Sequence, residues 1–182
     1  MQIKSWENKR IIITGSRGFI GSHLAEYFKS KGAITLGLSR KTRTAAGNVA
    51  IDVTNFTALL AVVKKFKPDA FFHLASDALV ESGQLDPYRT FHNNIIGALN
   101  VLEVCRARNV SRIIIASTVH VYGNSPLPYV ESEAARPSRP YETSKTCIDL
   151  IAQSYADSYD LPVLIHTVAS DYKYISAVDL IE

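Results

Sequence analysis

Three side chains in this sequence have the types and spacing to move a proton together. Tyr141 and Lys145 stand one helical turn apart in Tyr141-Glu142-Thr143-Ser144-Lys145, so they share a face. A phenol titrates at about 10 and is a poor base at neutral pH, but a nearby ammonium favours the phenolate. Such a tyrosine can take the proton of a sugar or alcohol hydroxyl while hydride leaves the same carbon. Thr118, in Ser117-Thr118-Val119-His120-Val121-Tyr122-Gly123, can hold that oxygen by a hydrogen bond. The Tyr-x-x-x-Lys spacing also arises by chance in a chain with 9 Tyr. Its weight comes from following a strand-end Ser117-Thr118 by one helix, in a chain that opens on a glycine-rich turn.

That turn joins Ile11, Ile12 and Ile13 to a helical pattern through Gly15, Gly18 and Gly21. Strand, tight turn and helix start, in that order, make a cradle for a dinucleotide pyrophosphate. Glycine lets the backbone approach phosphate, and the helix end favours negative charge. The spacing is G-x-x-G-x-x-G, not the commoner G-x-G-x-x-G, and a plain strand-to-helix turn also fits it. The next strand is followed by Ser39-Arg40-Lys41-Thr42-Arg43, with no carboxylate. An acidic residue there would bind ribose hydroxyls and disfavour a phosphate, whereas cations accommodate a ribose 2′-phosphate. The reading therefore prefers NADP(H) over NAD(H), beside the plainer possibility of a solvated basic loop.

The elements that must position these residues follow from apolar periodicity. Strands are expected at Arg10 to Thr14, Ala33 to Leu38, Asn48 to Val53, Ala70 to Ala75, Ser111 to Ser117 and Pro162 to Val168. Helices are expected from near Gly18 to Lys31, with Phe19, Ile20, Leu24, Tyr27 and Phe28 as the apolar face, and from Phe56 to Phe66. Two longer ones should run from Asp86-Pro87 to about Arg108 and from Tyr141 to Tyr159, with loops at Ala78 to Leu85 and Gly123 to Pro140. Trp6 is read as packing. Apolar strands alternating with amphipathic helices predict an α/β, doubly wound parallel sheet of Rossmann type, with ligands outside the carboxyl ends of the strands.

Composition narrows the class. A chain of 182 residues, 47% hydrophobic and 20% charged, predicts one globular domain with a real core. A net charge of +3 is too small to argue for nucleic acid. Cys105 and Cys147 have no metal-ligand spacing, so no metal is expected and both read as free thiols of a reducing compartment. No apolar stretch is long enough to cross a bilayer, and the N-terminus has no signal-peptide core. The expectation is a cytoplasmic protein with no membrane partner.

Over almost its whole length the chain resembles the extended short-chain dehydrogenase/reductases, the NAD(P)-dependent epimerase/dehydratase family that acts on nucleotide sugars. Thr14 to Gly21 is similar to the family's T-G-x-x-G-F-I-G, and His73-Leu74-Ala75-Ser76 to its H-L-A-A. Asp86-Pro87 with Asn94 to Gly97 resembles D-P…N-x-x-G. Ser117 to Gly123 resembles S-S/T-x-x-V-Y-G, and Pro140 to Lys145 resembles P-Y-x-x-S-K. The resemblance implies Tyr141 as base, Lys145 tuning it and holding the nicotinamide ribose, and Thr118 assisting. It implies a cofactor cradle of Gly15, Ser16, Arg17, Gly18, Phe19, Ile20 and Gly21. It adds Ser39 and Arg40, Asp52 on the adenine amino group, Val53, Leu74, Ala75, Ser76, Asn94 and Ser117. Beside these roles, Asp52 also fits a turn starter, His73 a satisfied core histidine and Asn94 a helix brace. A homodimer through helices 86–108 and 141–159 is implied as well.

Three departures qualify the resemblance. Dehydratases of the family carry acids directly after the strand-five Ser/Thr, where this chain has Val119 and His120. That favours epimerisation or reduction over elimination, unless His120 serves as the acid; against it, the run from Pro140 to Pro162 is similar to dehydratase-like members. After strand six the family's R-P-x-N-x-Y-G-P is replaced by Thr167 to Tyr174. Family members also run much longer, so the chain reads as a Rossmann domain over 1–168 with a tail over 169–182. The tail is similar to a later stretch, F-I-x-V-x-D-L-x-E, as if the substrate-binding segment had been lost. The alternative to an enzyme is an NAD(P)-binding protein without turnover.

Overall fold

The pattern of every second residue decides which face each strand side chain covers. In the computed structural model, which describes residues 5–40 and 47–168, Ile12 of β1 (Arg10–Thr14) packs on one face of the sheet. Ile11 and Ile13 pack on the other. Phe71 of β4 (Ala70–His73) is set against Ala70 and Phe72 in the same way, and Ile113 and Ile115 of β5 (Arg112–Thr118) against Ile114. With β2 (Ile34–Ser39), β3 (Asn48–Ala50) and β6 (Val163–Val168) they form one six-stranded sheet. Its order is β3-β2-β1-β4-β5-β6, and every pairing is parallel.

Among the described residues, six α-helices connect the strands. Helix α1 (Phe19–Ser30) buries Leu24 and Phe28 on one face, where Trp6 packs edge-on to Phe28 at 4.7 Å between ring centroids. Helix α2 (Phe56–Phe66) matches its expected span, because Asn55 caps it by accepting from the Ala58 N–H at 3.0 Å. It lies on the opposite face with α5 (Gly97–Ala107) and α6 (Pro140–Tyr159). Chain direction across the sheet reverses between β1 and β4, the switch point above which such sheets bind ligands.

Two expectations fail here. Ala78 to Leu85 is not all loop: Val80–Leu85 forms the short helix α3, with Gly83 against the Tyr141 backbone. A six-residue helix with glycine inside has too little periodicity to be read. The long helix after Asp86 is also not uniform. It is α4 (Pro87–Phe91), a π-helical turn (His92–Ile96) and then α5, with Asp86 capping the start through the Arg89 N–H at 3.0 Å. The extra residue in the π turn is taken up where Asn94 points inward, fully buried. Lys41, Thr42, Arg43 and the tail 169–182 lie outside the described residues.

Candidate active site

At the end of β1 the chain must turn sharply under the start of α1. Gly15 does so at φ 68°, a left-handed conformation that disfavours side chains, and a Cβ there would sit 2.9 Å from the Ala75 nitrogen. A Cβ on Gly21 would run into the Gly15 carbonyl, so only glycine lets the first turn of α1 lie against the loop. Helix α1 starts at Gly18 with no side-chain cap and no acid in its first turn. Its positive end is therefore left to face the cleft above the switch point. That cleft measures about 770 Å³ and is walled by the ends of β1, β2, β4 and β5, by the start of α6 and by α3.

Beneath the cradle, Thr14 ties β1 to β4. Its hydroxyl oxygen accepts from the Leu74 and Ala75 N–H groups, each at 3.1 Å. The hydroxyl proton is thus directed to His73 Nδ1 at 2.8 Å. Burial, together with the charge of Lys145, pushes His73 down to about 3, so the ring is a neutral acceptor. His73 is the satisfied core histidine of the plainer reading.

At the β2–β3 side, the Asp52 carboxylate accepts from the Thr54 N–H at 3.0 Å and the Thr54 hydroxyl at 2.8 Å. Burial raises its pKa, but these bonds and the charges of Arg40 and His92 outweigh that and hold it below the ordinary value. Asp52 therefore starts a turn and also lines the cleft. Arg40 reaches across to Asp77 Oδ1 at 3.3 Å, and Asp77 Oδ2 accepts from Asn93 Nδ2 at 2.8 Å and Arg89 Nε at 3.2 Å.

The chemistry-bearing residues meet at the other end. Thr118, Tyr141 and Lys145 all line the cleft while 7% exposed or less. Thr118 Oγ1 accepts from the His120 N–H at 3.3 Å, which leaves the hydroxyl proton to donate. Lys145 Nζ donates to the Ala116 carbonyl at 2.9 Å, and burial, only partly offset by Asp149, pushes it down to about 8. Asp149, one turn further along α6, is pushed up to about 6 by burial, although Ser117 donates to its Oδ2 at 2.8 Å. Tyr141 stands one turn before Lys145 on α6, so the two share a face.

Of the expected cofactor residues, Arg17, Gly18, Phe19, Ile20, Ser39, Val53, Leu74, Ala75 and Ser76 also line the cleft, as do Gly15, Gly21, Arg40 and Asp52. Phe19, assigned above to the apolar face of α1, is 58% exposed and turned to the cleft instead of the core. Ser117 is there too, but its hydroxyl proton is committed to Asp149. Ser16 and Asn94 lie off the lining: Ser16 is buried close to Gly37, where a Cβ would meet it. Asn94 staples the loop after β4 to α6, bonding Ser76, Asp77 and Ser144. Asp77 and Asp149 were not among the expected residues. For Asp149 a signal existed, since it follows Lys145 by four residues on a helix. Asp77 had none, because its partner Arg40 is 37 residues away.

Comparison with known proteins agrees with this fold. A family model described as the NAD dependent epimerase/dehydratase family matches residues 11–171. A CDP-glucose 4,6-dehydratase of Salmonella typhimurium is 28% identical over 86% of this chain and 48% of its own length. A UDP-glucuronate 4-epimerase of Thermodesulfobacterium geofontis is 28% identical over 85% and 53%. The crystal structure of UDP-glucose 4-epimerase from Brucella ovis in complex with NAD superposes with a TM-score of 0.82 at 28% identity, over 87% of this chain and 51% of that one. The chain spans about half the length of the curated relatives it matches. On the family match, the parallel sheet and the cleft at its switch point, the chain belongs to the NAD dependent epimerase/dehydratase family.

Proposed function

We propose that this cleft binds a nicotinamide dinucleotide and that Tyr141 is the base for oxidation at a carbon of a nucleotide sugar. The observation that carries the reading is that Thr118, Tyr141 and Lys145 open onto the same cleft as the Gly15–Gly21 cradle. The residues fit the cofactor: the steric demand for glycine at Gly15 and Gly21 and the uncapped start of α1 suit a pyrophosphate, and Asp52 suits the adenosine end. The nicotinamide, when bound, supplies the hydride acceptor and donor. Tyr141 takes the substrate hydroxyl proton on its phenolic oxygen, the Lys145 cation favours that phenolate, and Thr118 donates to the substrate oxygen. Val119 offers no proton and His120 is the one acid candidate beside Thr118, so epimerisation or reduction leads over elimination. NADP is accepted over NAD to the extent that a ribose phosphate displaces Asp77 from Arg40. Pairing of two copies through the helical faces that expose Tyr88 and Leu150 belongs to the same proposal, and sedimentation velocity checks it.

The test is binding and turnover on the purified chain. Bound nicotinamide with conversion of a nucleotide sugar, lost in Tyr141→Phe while binding persists, supports the enzyme. Binding without conversion of any nucleotide sugar selects a cofactor-binding protein without turnover, and failure to bind NAD or NADP overturns both.

A further inference from the structure

We propose that Asp149 is a positioning residue of the site, keeping Lys145 cationic through space while leaving the lysine's donors free for the cleft. The lysine role rests on the function proposed above. Helix α6 is tied to the end of β5 at two successive points. Lys145 Nζ bonds the Ala116 carbonyl, and the very next residue, Ser117, donates to Asp149 Oδ2. Two successive residues of β5, immediately before Thr118, are therefore held by two residues of α6 one turn apart.

Asp149 Oδ1 is buried and accepts no hydrogen bond from any described residue. A buried carboxylate oxygen left without a donor is costly, and an apolar residue would fill the place at less expense. The group earns its place by its charge. An ammonium has three donors, of which the Ala116 carbonyl takes one. Had Asp149 bonded Nζ directly, a second would be spent. Instead the carboxylate is oriented by Ser117 and acts on Lys145 without consuming a hydrogen, so two donors remain for Tyr141 and for a ribose hydroxyl. The groups facing the pair are few. Among the described residues, on α6 they are Lys145 and Asp149 themselves with the Tyr141 phenol one turn before, from β5 come the Ser117 hydroxyl and the Ala116 carbonyl, and on β4 the neutral His73 feels Lys145.

Carbon NMR of the lysine ε-carbons in the purified chain tests this, with the Lys145 resonance assigned by its loss in Lys145→Arg. In the unmodified chain the resonance should show two inflections, one as Asp149 titrates and one as Lys145 itself does. In Asp149→Asn, whose amide oxygen still accepts from Ser117, the first inflection should vanish. The Lys145 midpoint should then fall by about one pH unit or more, a shift that a merely structural role would not produce. A single inflection in the unmodified chain, or an unchanged midpoint in folded Asp149→Asn, overturns the proposal. The unmodified chain decides the matter even where the variant does not fold. Parallel titrations with NAD and NADP keep the two readings apart: a chain that binds neither removes the proposed function and leaves the lysine result standing.

Discussion

Replacing Lys145 and Asp149 together, by Met and Leu, should make the folded chain more stable at neutral pH. Burial holds Lys145 at about 8 against an ordinary 10.5, and Asp149 at about 6 against 3.8. At about 1.4 kcal/mol per pH unit, each charged form costs the folded chain roughly 3 kcal/mol. Proton counting gives the signs. Between 3.8 and about 6 the folded chain holds more protons than the unfolded one, so stability falls as pH rises through that window. Between about 8 and 10.5 it holds fewer, and stability rises again. Both penalties are therefore in force from about 6 to about 8. Against their removal stand two hydrogen bonds, about 1 kcal/mol each, and the unsatisfied Ser117 hydroxyl and Ala116 carbonyl that remain. A net gain on the order of 1–2 kcal/mol at neutral pH is expected. Urea unfolding followed by circular dichroism in acid, neutral and alkaline buffer measures it. The advantage should be widest at neutrality and shrink at both ends. A double variant less stable than the parent at neutral pH, or one with a constant difference across the range, would refute the reasoning.

Three further outcomes are expected. Gly21→Ala drives a methyl into the Gly15 carbonyl, so it should cost about 1–3 kcal/mol in urea unfolding and weaken NAD binding at least about tenfold by calorimetry. Thr14→Val strips two N–H groups and His73 of their shared partner, and should cost about 2–4 kcal/mol. Thr14→Ser should restore most of that, and a valine variant as stable as the parent would remove this network from the account. Asp77→Asn loosens Arg40, so the ratio of NADP to NAD affinity should rise several-fold; an unchanged ratio would mean that Arg40 does not read the ribose.

Much of the site was legible because it is built from short-range rules. The Gly15–Gly21 turn and the shared face of Tyr141 and Lys145 depend on residues within one or two turns of each other, which spacing records directly. The misreadings fall where a distant part of the chain overrides local pattern. Helix α3 carries Gly83 in its interior because the backbone packs close to Tyr141, nearly sixty residues on. The Asn48 to Val53 strand ends early at Ala50, since Asp52 spends its carboxylate on Thr54 and turns the chain.

The sequence by itself determined the alternation of strand and helix, hence the parallel sheet, and the spacing that puts Tyr141 and Lys145 on one helix face. Apolar period and glycine geometry are properties of neighbours in the chain. The tertiary structure alone decided how those groups are charged and shared. Arg40 meets Asp77 across 37 residues, Ser117 meets Asp149 across 32, and Thr14 meets His73 across 59. A pKa is set by burial and by charges close in space, and neither is written in the spacing of the residues that carry them.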